Sequence, residues 1–126
     1  MKINTTMKHV ALNYNKKEKA DIFFAEILGL KLIKSFPLSK KLSEKIFNIA
    51  EEADIMIYEN ENMSFEIFIT KKIQNHIFDH ICIEIEDKEE FIRRCKKYSL
   101  DPYFVDKGDK KLLFVKDFPG NLFEIK

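Results

Sequence analysis

The chain has 126 residues, 45% hydrophobic and 34% charged, the mix of one globular domain rather than a disordered or fibrous chain. Lys and Arg number 22 against 21 Asp and Glu, and the net charge of +1 provides no field to draw nucleic acid or an anionic membrane. No apolar run nears the ~20 residues of a spanning helix, and the N-terminus lacks a signal-peptide core, so a cytoplasmic setting is expected. There Cys82 and Cys95, not spaced as a zinc or redox pair, are expected to be reduced and buried.

In chain order, His9-Val10-Ala11-Leu12-Asn13 alternates with the period of a strand. Asn15 with Glu18 three residues later predicts a helix cap and its return contact. Ala20, Phe23, Phe24, Ile27 and Leu28 form the stripe of one buried helix face, which Gly29 ends. In the stretch 39–53, Leu42, Ile46, Phe47, Ile49 and Ala50 predict a short amphipathic helix. Ile55-Met56-Ile57-Tyr58, a polar turn and Ser64-Phe65-Glu66-Ile67 predict a hairpin. Residues 71–78 read as a link, with His76 a linker residue.

The pattern then starts again. His80-Ile81-Cys82-Ile83-Glu84 lies over the first strand, and Asp87 with Glu90 over the first cap. Phe91, Ile92, Cys95 and Tyr98 make a shorter helical stripe, and Ser99 stands where Gly29 stood. Leu113-Phe114-Val115-Lys116 and Leu122-Phe123-Glu124-Ile125 repeat the hairpin, with the triplet Phe-Glu-Ile identical in both halves. The interval from His9 to Glu66 is 57 residues and from His80 to Glu124 is 44, so the first half holds 13 more, placed at 39–53. One domain over 1–126 is thus expected to comprise two modules, about 7–70 and about 78–126, each a strand, a helix and several strands.

Strand parity separates the chemistry from the core. His9, Ala11 and Asn13 share a face, as do His80, Cys82 and Glu84; Val10, Leu12 and Tyr14, and Ile81, Ile83 and Ile85, take the others. Glu66 and Glu124 likewise oppose apolar neighbours. One such residue alone is ordinarily a solvated surface group. Both His and both Glu at matching places instead predict a divalent metal site of His9, Glu66, His80 and Glu124, since imidazole nitrogen and carboxylate oxygen are common ligands. Such a set leaves positions open for water or substrate. Glu84 is expected near the exposed end of its strand.

His9-Val10-Ala11-Leu12, Phe23-Phe24-Ala25-Glu26-Ile27-Leu28-Gly29-Leu30-Lys31, His80-Ile81-Cys82-Ile83-Glu84-Ile85 and Asp117-Phe118-Pro119-Gly120-Asn121-Leu122-Phe123-Glu124 together resemble the vicinal oxygen chelate superfamily. That superfamily includes glyoxalase I, methylmalonyl-CoA epimerase, extradiol dioxygenases and bleomycin and fosfomycin resistance proteins. The resemblance implies an α+β fold: two repeated βαβββ modules forming an open, cupped mixed sheet, with helices outside and His9, Glu66, His80 and Glu124 as ligands on the concave side. Glutathione-dependent glyoxalase I has Arg where this chain has Asn13, and a neutral amide cannot replace a bidentate guanidinium toward a carboxylate.

The expected function is that of a metal-dependent enzyme of glyoxalase type, a lyase or isomerase similar to lactoylglutathione lyase. A Ni, Co, Zn, Mn or Fe ion would bind neighbouring oxygens of a small substrate and stabilise an enediolate, with Glu66 or Glu124 as base. A metal-free binding or sequestering protein of bleomycin-resistance type, with Phe68, Phe114 or Phe47 lining the cup, is the alternative. Exposed sheet edges and apolar surface predict a homodimer.

Overall fold

The computed structural model describes residues 7–47, 50–71 and 80–126. They form an α+β fold of two four-stranded mixed sheets with the same strand order. The link residue His76, and Ile49 of the inserted stretch, lie outside the described residues.

The first compact unit holds β1 (Val10–Tyr14), β2 (Lys31–Leu38), α2 (Lys40–Phe47), β3 (Ala53–Glu59) and β4 (Ser64–Ile69). Their order is β1-β4-β3-β2, with β1 parallel to β4 and the other neighbours antiparallel. The turn from β3 to β4 is held by Asn60, whose Oδ1 accepts from the amides of Asn62 at 2.8 Å and Met63 at 3.0 Å. β1 therefore joins the sheet beside the last strand of the unit, and Phe65 and Ile67 are buried on one of its faces. The inserted stretch forms its predicted helix, α2, started by Ser39, whose hydroxyl accepts from the Leu42 amide. Leu42 itself is 48% exposed, contrary to the expected stripe, and Ser43 is buried, whereas the side chains of Ile46 and Phe47 lie outside those described.

The second unit holds α1 (Lys17–Ala20), its π-helical continuation (Asp21–Ile27), β5 (His80–Ile83), α3 (Lys88–Lys97), β6 (Tyr103–Lys107), β7 (Lys110–Lys116) and β8 (Leu122–Ile125). Strand order is β5-β8-β7-β6, again with the first strand parallel to the last. Of the expected stripe, Ala20, Phe23, Phe24 and Ile27 are buried and Leu28 is half-buried. Its backbone is wider than predicted, and the Leu28 amide donates five residues back to Phe23 O at 3.0 Å. Although it follows β1 in sequence, this helix goes with the second sheet, where the Phe23 ring lies 5.0 Å from that of Phe123.

Asp87 caps α3 as predicted, accepting from the Glu90 amide at 3.1 Å. Glu90, however, turns its carboxylate to Arg93 and Arg94 rather than back to the cap. Both helices end on a left-handed residue, Gly29 with φ 73° and Ser99 with φ 65°, so the structural match of the two halves extends to their C-caps. Cys95 is buried as expected; Cys82 is exposed, because it lies on the face of β5 that His80 occupies rather than on the core face of Ile83.

Candidate metal centre

Each sheet carries a histidine and a glutamate in the same relation. In the first, Glu66 on the interior strand β4 stands across from Ala11, and His9 lies two residues before Ala11. In the second, Glu124 on the interior strand β8 stands across from Cys82, and His80 lies two residues before Cys82. Parallel neighbours lie ~4.8 Å apart, so a two-residue diagonal lets a long carboxylate side chain reach the imidazole. His9 Nε2 is 2.7 Å from Glu66 Oε2, and His80 Nε2 is 3.5 Å from Glu124 Oε1.

The carboxylates are the more enclosed partners. Glu66 and Glu124 side chains are 19% and 14% exposed, against 43% and 46% for His9 and His80. Each pair thus offers one nitrogen and one oxygen, rooted in the sheet but open toward solvent. At 2.7 Å, His9 Nε2 and Glu66 Oε2 lie within hydrogen-bond distance, and both atoms are of the kind that ligate a divalent ion. The second pair lies beyond good hydrogen-bond distance, leaving Glu124 less firmly held by its imidazole. Among the described residues, no group of three or more His, Cys, Asp or Glu side chains is gathered closely enough to hold an ion. Structurally, the four predicted ligands come as two pairs.

Local structure fixes both carboxylate strands. β8 follows a turn built on buried Asp117, whose Oδ1 accepts from the amides of Gly120 at 3.1 Å and Asn121 at 2.5 Å. Its Oδ2 accepts from Asn121 Nδ2 at 2.7 Å. In the first unit, β4 is tied to β1 by Asn13, whose Nδ2 donates to Phe68 O at 2.8 Å and whose Oδ1 accepts from Thr70 Oγ1 at 2.8 Å. Asn13 is therefore buried and occupied by backbone, and has no amide to spare for a ligand's carboxylate.

Of the aromatic residues expected to line a ligand cup, Phe68 shares the Glu66 face and Phe114 stands directly across from Glu124. Tyr103, across from Phe114 in turn, carries no mark in the sequence pattern, because only the strand register relates it to the site. Glu84 is exposed just past β5, as expected. A separate cleft of about 170 Å³, lined by Ile27, Leu28, Ile85, Asp87, Glu90, Phe91 and Arg94, contains none of the four candidate ligands.

No protein-family model matches the chain, and no curated protein matches it by sequence. Solved structures do. Fosfomycin resistance protein FosX from Listeria monocytogenes superposes with a TM-score of 0.75 at 19% identity, covering 98% of this chain and 93% of that one. A variant of that protein, complexed with Mn(II) and 1S,2S-dihydroxypropylphosphonic acid, gives 0.75 at 18% identity, covering 98% and 92%. A glyoxalase family protein from Enterococcus faecalis gives 0.68 at 19% identity, covering 95% of each chain. The chain has the fold that these fosfomycin resistance and glyoxalase family proteins share.

Proposed function

We propose that the chain is a metal-dependent enzyme of glyoxalase type, in which His9, Glu66, His80 and Glu124 together hold one divalent ion. The observation that carries this is the identical register of the two His–Glu pairs. Imidazole and carboxylate meeting twice at the same diagonal on two sheets support a shared role as ligands. The Mn(II) complex of the FosX variant supports a divalent ion in this fold, and its diol ligand supports a small oxygenated substrate. The two pairs would meet on the ion within one chain or across a cytoplasmic homodimer.

When bound, the ion would polarise neighbouring substrate oxygens and offset charge that develops on them. The chain's own contribution is a base held at the site. Glu124, 3.5 Å from His80, is freer to swing toward a substrate carbon than Glu66, which is 2.7 Å from His9. A carboxylate that removes a proton there and returns it to a neighbouring atom gives isomerase or lyase chemistry. Partial enclosure of Glu124 strengthens that proton transfer by limiting water. With the Asn13 amide spent on backbone, the geometry favours a substrate other than a glutathione adduct.

Elemental analysis and thermal shift with Mn, Zn, Co and Ni test this. The parent should hold a stoichiometric ion and gain stability from it, and His9→Ala and His80→Ala should both lose that gain. No stoichiometric ion after reconstitution with any of them would sink the reading. A metal-free small-molecule binder is the alternative, favoured by the aromatic residues Phe114 and Tyr103 on the Glu124 face. It predicts stabilisation by organic ligands alone, unaltered in His80→Ala.

A further inference from the structure

The face of the second sheet that carries Glu124 is apolar where a solvated face should be polar. Register places Phe114 of β7 across from Glu124, and Tyr103 of β6 across from Phe114. Leu112 and Val105 form the next row on the same face. The opposite face of these strands already supplies the core, with Leu113, Val115, Phe123 and Ile125 buried. An antiparallel sheet with one face in the core ordinarily presents polar residues on the other. Instead Tyr103 and Val105 are each 41% exposed, and the Tyr103 and Phe114 rings stack at 5.8 Å with an interplanar angle of 25°.

The repeat does not explain this. The corresponding row of the first sheet runs Ala11, Glu66, Ile57, Lys34, with an aliphatic and a cationic residue where the second has two rings. In the row level with the carboxylate, aromatic residues belong to the second module alone; in the first, Phe68 and Phe36 lie one row further along the strands. Strands spaced ~4.8 Å apart put the Phe114 backbone one strand and the Tyr103 backbone two strands, roughly 10 Å, from that of Glu124. That is the reach of a chelating group joined to one six-membered ring.

We propose that Phe114 and Tyr103, flanked by Leu112 and Val105, are the subsite for an aryl group of the substrate. The substrate class is then an aromatic compound with two neighbouring oxygens, its ring lying on this platform and its oxygens directed to His80 and Glu124. The assignment rests on the metal reading above. A ring is favoured over an alkyl chain because two stacked rings offer a further ring an offset face, an attraction beyond area burial. The platform runs inward to Glu124, whereas Phe104 of β6, 57% exposed, points to the other face and has no part in it.

Benzohydroxamate and acetohydroxamate test this, since they share a chelating group and differ in phenyl against methyl. Calorimetric titration of the zinc-loaded full chain should show benzohydroxamate binding at least about tenfold more tightly, the scale of one stacked ring with its buried area. Tyr103→Ala and Phe114→Leu should each cut that ratio to about threefold or less and leave acetohydroxamate affinity unchanged. Equal binding of both compounds to the parent, or a ratio that survives in both variants, overturns the proposal. So does a change in association state of Tyr103→Ala with the ratio intact, which would make the face a contact between copies. Should the parent bind no zinc, the metal reading falls by itself. The platform is then judged by nuclear Overhauser effects between the benzohydroxamate phenyl protons and the Tyr103 ring in metal-free protein. Phenyl effects on neighbouring Phe114 protons that vanish in Tyr103→Ala support the subsite, and absence of any such effect from the parent overturns it.

Discussion

Thr70 donates its hydroxyl to Asn13 Oδ1 at 2.8 Å, closing the end of β4 onto the end of β1. The same asparagine donates to the carbonyls of Phe68 and Tyr14, each at 2.8 Å, so its whole amide serves the strand pair that positions Glu66. Truncation would leave buried acceptors without donors. Asn13→Ala should therefore lower unfolding free energy by about 2–4 kcal/mol, and Thr70→Val by about 1–2 kcal/mol, read from urea melts. Asn13→Arg should destabilise more than alanine and confer no glutathione binding, because the guanidinium would be buried without a carboxylate.

Ser99 pays the penalty that Gly29 avoids. With φ 65° it holds a left-handed conformation that costs a side-chain-bearing residue roughly 1 kcal/mol, and Ser99→Gly should recover about that much. Gly29→Ala should lose a similar ~1 kcal/mol from conformation alone, since a Cβ there would meet no atom nearer than 3.9 Å. Thermal melts of the two variants should move in opposite directions.

Hydrogen bonds from Arg93 and Arg94 hold the Glu90 carboxyl down at about 2, and Glu90 in turn raises the Arg93 guanidinium. A carboxylate lowered on folding favours the folded state above its ordinary value of 4.5, and that support fades as pH falls toward about 2. Glu90→Gln should thus be less stable than the parent at neutral pH, with the two converging in acid. Concentrated salt should narrow the neutral-pH gap, because the group is open to solvent. Paired denaturant melts across pH and salt measure both.

Burial pushes the Cys95 thiol up to about 12, whereas Cys82 is exposed on the Glu124 face. Ellman's reagent should titrate one thiol in the native protein and both in concentrated guanidinium chloride. Alkylation of Cys82 with a bulky maleimide should also abolish zinc-induced stabilisation, because the adduct stands across from Glu124.

The four candidate ligands were legible because period-two alternation isolates a charged residue on an otherwise apolar strand, and the repeat shows it twice. Strand parity also put Cys82 beside His80, yet cysteine's general tendency to be buried pointed the wrong way. Pairing was not legible. Val10 and Phe65 are parallel partners far apart in sequence, and only the folded sheet brings them together. The stack of Tyr103 on Phe114 follows from that same kind of register. The first helix carries its stripe plainly, but an apolar stripe specifies burial without specifying which sheet supplies the partner, and Phe123 does.

The last strand of each unit is an interior one: β4 lies between β1 and β3, and β8 between β5 and β7. Among the described residues β8 is the strand that β5 bonds, so on the ribosome β5 waits for Leu122–Ile125 through the synthesis of α3, β6 and β7. The strand that completes each sheet is also the one that carries its carboxylate. Sheet closure and the second candidate carboxylate therefore arrive in a single step, and a nascent chain stalled before β8 would be left with two unpaired strand edges and without Glu124.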